Sequence, residues 1–446
     1  MRRREALKAV SLALISTISA GYGGPSGISD REKQVERSKV DPKMAGERKN
    51  RKVVVVGGGW AGLAFAKHIR IFAPRSEVIL VEKRDHFVSC PMSNEWLVDL
   101  VDLEFLTHSY IDAAKNHHYT FFNATAIDVD KSNNILKTSR GEIAYDYLVF
   151  AVGIEYDYYT WAKDDKALEK RLRNEYPAAF IPGSEHITLK QKIKNFKGGN
   201  FIITVPEGNY RCLAAPYERA CLIADYFKRN RIAGKVIIMD ESNDIRIKEK
   251  GFSTAFKELY REYIEYMSSA KILSFDLDKR VVETDFDEIH FEDACFYPNV
   301  KAPYILEKLH MTRSTPYNRV EANIDQNTYK VKGESNIYVC GDARPMGFSK
   351  SGNTAFSEGI NVARMIADEM EGKKPVWKSP ATTCFSLLST RPEREISLYT
   401  EYRYTKNGGM DFKNNMTDEA WKTNSLGKER VAYRWAESMY VNMFGQ

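Results

Sequence analysis

The stretch from Lys52 to Ile69, KVVVVGGGWAGLAFAKHI, admits few folds. Four consecutive valines read as a strand buried on both faces, and the apolar pattern after the glycines reads as a helix. Between them Gly57, Gly59 and Gly62 keep the spacing G-x-G-x-x-G. The first glycine permits a tight turn, the second lets a pyrophosphate approach the backbone, and the third allows helix and strand to pack closely. A second strand, EVILVEK, ends at Lys83 and carries Glu82, an acid placed to accept the ribose hydroxyls of an adenosine. Together these make a βαβ nucleotide-binding unit with Glu82 and Lys83 at its ribose end.

The plan recurs along the chain. YDYLVFAVG, ending at Gly153, is another apolar strand, and NFIITV, a helix beginning near Pro216 and KVIIMDES form a second βαβ unit. A late strand, SNIYVCGDA, runs into Gly341 and Asp342, and a helix following Gly352 is stopped by Gly372. The fold class expected is α/β, with two Rossmann-like dinucleotide-binding domains of the glutathione-reductase kind and a small C-terminal α+β domain. The expected division is 51–155 and 286–374 for the two parts of an FAD-binding domain, 156–285 for the second nucleotide fold, and 375–446 for a C-terminal interface domain. With 43% hydrophobic and 28% charged residues the chain has the composition of a folded protein. Its net charge of +6 is spread among mixed signs, which excludes nucleic acid as a first choice of partner.

The first residues, MRRREALKAVSLALISTISA, combine an arginine-rich start with an apolar run too short to span a bilayer. Arg3, Arg4, Leu7 and Lys8 resemble a twin-arginine export signal, so residues 1–24 are read as that signal, 25–50 as a polar linker, and the location as periplasmic. The cleavage site is poorly marked, and an uncleaved segment would give the chain its one contact with a membrane.

A glycine fingerprint alone does not separate FAD from NAD. An aspartate after a strand and a glycine, followed by a helix N-terminus, can bond the polyol chain of a flavin. Here the sequence resembles the two-dinucleotide-domain flavoproteins, with Asp342 matching their flavin-binding aspartate, and FAD is the cofactor implied. After the strand of the second unit comes PEGNYRCLAAPYERA, whose single Gly208 cannot form a pyrophosphate turn, so NAD binding there is lost. Six cysteines, at 90, 212, 221, 295, 340 and 384, include no CxxC and no CxxCH, which argues against zinc and against a haem on this chain. One or two specific disulfides are expected in an exported protein. Cys212 reads either as a buried small residue or as a reactive thiol beside Arg211 and a helix start.

The resemblance narrows at four places. HFVSCPMSNEW, YRCLAAPYERA, PMGFSKSGNTAFSEG and TTCFSLLS are similar, in the same order, to segments of the flavoprotein subunit of flavocytochrome c sulfide dehydrogenase. By that resemblance Cys90 matches the cysteine bonded to the flavin 8α-methyl group, and Cys212 and Cys384 match a redox-active pair that takes electrons from hydrosulfide. It also implies a c-type cytochrome partner carrying the haem, with the C-terminal domain and the aromatic tail WAESMYVNMFG as its docking face. Lys350 reads either as a charge stabilising reduced flavin or as an exposed salt-bridging lysine. The stretch STRPEREIS departs from the family's turn and leads us to expect a different substrate mouth. Cys221, Cys295 and Cys340 are assigned to packing. Rival readings are a sulfide:quinone oxidoreductase, an NAD(P)H reductase, and a non-enzymatic subunit that keeps the flavin fold.

Overall fold

Lys52–Val56 (β1) is covered on both faces, its four valines almost wholly withdrawn from solvent. That is the environment a continuous β-branched run requires. In the computed structural model, which describes residues 50–406, 409–423 and 430–445, the chain continues through Trp60–Phe72 (α1), Glu77–Glu82 (β2), Ser93–Leu97 (α2), Thr120–Asn123 (β3) and Tyr147–Phe150 (β4). Next come Gly198–Val205 (β5), Ala215–Asn230 (α3), Ala233–Asp240 (β6), Glu249–Leu259 (α4), Ile264–Met267 (β7) and Asp293–Cys295 (β8). Ile337–Val339 (β9) and Gly352–Met370 (α5) follow, and the C-terminal part contains Ala381–Thr390 (β10), Glu393–Tyr404 (β11), Met410–Asp418 (β12) and Val431–Phe444 (α6).

Two parallel sheets carry the architecture. The first has the order β9-β4-β1-β2-β3 and the second β7-β6-β5-β8. The segments that cross between them, Glu155–Asp157 and Asn299–Lys301, pair antiparallel. Because Asp293–Cys295 pairs with Phe201–Ile203, the second sheet extends past the boundary expected at 285. A three-residue strand carries no readable period, which is why it is invisible in the sequence. The antiparallel sheet β10-β11-β12 lies with β10 against α3 and α5.

Close backbone approach holds α1 in place. A Cβ on Gly62 would stand 1.8 Å from the Gly57 carbonyl oxygen, and one on Gly359 would stand 2.3 Å from the Ala61 carbonyl oxygen. Helix α1 is thus pressed between β1 and α5 with no room for a side chain at either crossing.

Residues Lys52–Gln446 form one compact unit. The expected signal and nearly all of the expected linker lie outside the described residues. Among the described residues no helix is long and apolar enough to cross a membrane.

The aromatic tail corrects an expectation. Helix α6 turns Ala436, Met439, Tyr440, Met443 and Phe444 onto its own chain, where the helix meets α1, β10 and Tyr110–His117. Its outward face is Arg434, Glu437, Ser438 and Val441. The tail's rings are used internally, because a helix with that much apolar surface finds a core before it finds a partner.

Candidate functional site

Loops at the ends of both parallel sheets, with β10 and α6, enclose a cavity of about 1430 Å³ counting its open mouth. Gly57 and Gly59 line it at the end of β1, Glu82 at the end of β2, Gly153 after β4, Gly341 and Asp342 after β9, and Gly352 at the first turn of α5. Cys90, Cys212 and Cys384 line the same cavity, although they come from three separate parts of the chain. Gly62 stands outside it and serves the packing already described.

The cavity has the donor set for an FAD. A Cβ on Gly59 would meet nothing within 4 Å, so a ligand can approach the backbone there. Glu82 accepts from Gly58 N at 2.7 Å and Arg84 N at 3.0 Å, which fixes its carboxylate at the loop. Asp342 is buried; one of its oxygens accepts from Arg211 Nε at 2.7 Å and the other, Oδ1, has no partner. An orphaned buried carboxylate oxygen facing a cavity is an acceptor awaiting a donor, as a flavin polyol hydroxyl would be.

Two expected cofactor contacts are corrected. Lys350 is neither exposed nor in the cavity: it is 1% exposed, pairs with the equally buried Glu321 at 2.8 Å, and donates to the carbonyl oxygens of Asp342 and Arg344. A lysine with three satisfied donors inside the core is a brace for the loop after β9. Lys83 points to solvent, and its neighbour Arg84 lines the cavity instead. Both residues lie in the bend beyond the end of β2, which carries Arg84 inward and Lys83 outward.

The sulfurs are arranged unequally. All six cysteines are free thiols, so none of the expected disulfides is formed. Cys212 and Cys384 nevertheless meet, joined by a hydrogen bond between their side chains. The Cys212 loop reaches the flavin side because Cys212 N donates to Lys350 O at 2.6 Å and Asn209 Nδ2 donates to Phe348 O at 2.9 Å. Cys212 itself is in the left-handed region at φ 56°.

The hydrogen bond from Cys212 draws the Cys384 thiol far below its ordinary value, against the effect of burial, with the Lys248 ammonium assisting. Cys212 is pushed up by the same bond and by burial. The stabilisation of a thiolate expected at Cys212 falls on Cys384 instead. Arg211 does not reach the Cys212 sulfur, because its guanidinium is engaged by Asp342 and by Phe180 O at 2.9 Å. Cys90 donates to that same Phe180 O at 3.5 Å, and burial raises its thiol.

Two buried carboxyls complete the site. Glu218 accepts from Leu387 N at 2.8 Å and from Asn94 Nδ2 at 2.9 Å, while Glu95 leaves Oε2 without a partner. Burial raises both acids; the Glu218 charge adds to the effect on Glu95, and Cys384 adds to the effect on Glu218, which is raised to about 7. Both lie in helices, where an acid normally reads as a solvated residue; Lys248 lies in the turn just before α4, where a lysine reads the same way. The turn at Arg391 and Pro392 is also corrected. The cavity takes Thr383, Cys384 and Phe385 from β10, and the altered turn lies at the strand's far end, about 20 Å away at strand rise. Cys221, Cys295 and Cys340 are buried, and Cys295 accepts from Arg219 Nη1 at 3.0 Å.

Residues 187–296 match the family described as sulfide dehydrogenase (flavocytochrome c) flavoprotein chain, central, and residues 51–167 match pyridine nucleotide-disulphide oxidoreductase. The chain is 22% identical over 351 residues to the mitochondrial sulfide:quinone oxidoreductase of Mus musculus, covering 76% of this chain and 75% of the relative. It is 50% identical over 44 residues to the sulfide dehydrogenase (flavocytochrome c) flavoprotein chain of Chlorobaculum thiosulfatiphilum, covering 10% of this chain and 92% of that relative. Among solved structures, the sulfide:quinone oxidoreductase of Aquifex aeolicus superposes with a TM-score of 0.66 at 16% identity, covering 88% of this chain and 90% of that one. The chain belongs to the two-dinucleotide-binding-domain FAD oxidoreductases, in the group formed by the flavoprotein chain of flavocytochrome c sulfide dehydrogenase and the sulfide:quinone oxidoreductases.

Proposed function

We propose that the chain is an FAD-dependent enzyme that oxidises sulfide through Cys212 and Cys384 and passes the electrons to a c-type cytochrome. The observation that carries the reading is the meeting of these two thiols in the cavity that also contains the orphaned Asp342 oxygen. The glycine loop, Glu82 and Asp342 would hold the cofactor, and Cys90, at the cavity wall, would bond to it. Bound FAD supplies a two-electron acceptor. In the oxidised enzyme the pair is a disulfide. Hydrosulfide attacks one sulfur, the S–S bond breaks, a new S–S bond forms as a persulfide, and the other cysteine leaves as a thiolate. A second hydrosulfide then removes the outer sulfur and leaves the dithiol to be reoxidised.

The haem belongs to a partner, since this sequence has no CxxCH. With the rings of α6 turned inward, the partner would meet a polar face. Export by the N-terminal signal would put both subunits in the periplasm, which fractionation of cells expressing the full chain would test.

Anaerobic addition of sulfide to the purified flavoprotein tests the core of the reading. Flavin bleaching in the parent and none in Cys212→Ser or Cys384→Ser is the expected result; equal bleaching in all three would overturn it. A quinone acceptor is the second reading, favoured by the share of the chain that aligns with sulfide:quinone oxidoreductases. Turnover with cytochrome c and not with a soluble quinone would decide for the first, and the reverse for the second. Acid precipitation tests the thioether: flavin in the pellet of the parent and in the supernatant of Cys90→Ala is expected.

A further inference from the structure

Cys212 and Cys384 have different surroundings on the side away from the cavity. Lys248 precedes α4, is buried, and does not line the cavity. Its ammonium lies 3.3 Å from Cys384 Sγ and 2.6 Å from Ser386 Oγ. Among the described residues it has no carboxylate in an ion pair. A buried ammonium without an anion is costly, and a hydroxyl does not neutralise it. The one group bonded to it that can become an anion is the Cys384 thiol.

No such cation attends Cys212. The neighbouring guanidinium of Arg211 is turned to Asp342 and Phe180 O. The other titratable groups acting on the two sulfurs, Glu95, Glu218, Cys90, Tyr210 and Tyr297, are all acids raised by burial, and none of them is a cation. Negative charge released at this place has one seat, and it is on the Lys248 side.

We propose that Lys248 is the counter-ion of Cys384 and thereby sets the direction of disulfide opening: hydrosulfide attacks Cys212 Sγ, and Cys384 departs as the thiolate. The proposal rests on the sulfide reading above for its substrate. The bond between the two cysteine sulfurs breaks, its electron pair stays on Cys384, and a bond from the incoming sulfur to Cys212 forms, leaving a persulfide there with its proton. Thiol–disulfide exchange is faster when the departing sulfur is the better-stabilised thiolate. Attack on Cys384 would instead release the charge on Cys212, beside two acids and no cation.

Alkylation of the reduced, flavin-loaded full chain tests the charge placement without any turnover. Iodoacetamide pulses over a range of pH, read by mass spectrometry of the peptides, should modify Cys384 before Cys212 in the parent. In Lys248→Met the Cys384 reaction should slow about tenfold at mildly acidic pH and its midpoint should move toward that of a free thiol, while Lys248→Arg should keep most of the parent profile. A second pulse experiment adds sulfide to the oxidised parent before alkylation, and the persulfide label is expected on Cys212. Cys212 as the first thiol alkylated, an unchanged profile in Lys248→Met, or the persulfide label on Cys384 would each overturn the proposal. Should Lys248→Met not fold, the order of alkylation and the site of the label in the parent still decide. If the sulfide reading fails while the charge placement holds, no label forms on either cysteine but the alkylation order remains.

Discussion

Trp60 and Trp435 lie face to face, their ring centroids 6.0 Å apart and their planes 6° apart. One ring opens α1 directly after the glycine loop and the other belongs to α6, so the C-terminal helix is clasped to the nucleotide fold at the cavity wall, which both residues line.

Removing the clasp should open the cavity. Trp435→Ala forfeits the stacking, about 1 kcal/mol beyond the area lost, and the expected outcome is readier access of iodide to the flavin. Quenching of flavin fluorescence by iodide would rise in Trp435→Ala and return most of the way in Trp435→Phe.

Lys350 gives a prediction of opposite character. Its loss leaves Glu321 buried without its cation and frees two carbonyls, so Lys350→Ala should cost about 3–5 kcal/mol. Urea denaturation would register that loss. At temperatures where the variant remains folded, the rate of flavin bleaching by sulfide should change far less than in the cysteine variants.

Gly62→Ala should prevent normal assembly of the first nucleotide fold, because the added methyl would stand 1.8 Å from the Gly57 carbonyl oxygen, far inside van der Waals contact. The expected result is a chain recovered without flavin and with a lowered melting temperature. Gly59→Ala, with open space at its Cβ, should melt like the parent in the absence of flavin, and would separate backbone packing from cofactor approach.

Acid should unfold the protein through its buried histidines. Burial lowers His68 and His117 to about 4 and His186 to about 3, from an ordinary value near 6.5. Their folded values are depressed, so the unfolded chain takes up protons first. The stability they contribute is present above the unfolded value and is lost as the pH falls from about 6.5 toward 3. His186, with both ring nitrogens unpartnered, is the clearest probe. In His186→Phe the midpoint of acid unfolding, followed by circular dichroism, should move to lower pH than in the parent.

How much of this was legible in advance depended on the range of the interaction. The glycine loop, Glu82, Asp342 and the order of strands and helices rest on local spacing, and the chain displays them openly. Cys212 stood out by its place beside Arg211 and a helix start, but Cys90, Cys384 and the pairing rest on likeness to a family, since nothing in their spacing brings residues so far apart together. Lys248, Glu95 and Glu218 give no sign in the sequence because a charged side chain in or beside a helix looks the same whether it faces water or a neighbouring sulfur. Lys350 was misplaced for the converse reason: its partner, Glu321, is distant in sequence and gives no sign in the stretch around it. The inward turn of α6 was hidden as well, because an apolar helical face does not say whether its cover belongs to the same chain.

The hydrogen bond from Cys212 N to Lys350 O, part of the parallel bridge between Arg211 and Lys350, ties the second nucleotide fold to the loop beyond β9. The turn between that fold's strand and helix has one glycine, Gly208, and it reaches across to the loop beyond β9. The turn between β5 and α3, where a nucleotide fold would cradle a cofactor, here brackets one sulfur atom. Its rigidity now governs the distance from that sulfur to Cys384, so substitutions deep in β5 or α3, remote from any ligand, would be felt first as a change in thiol chemistry.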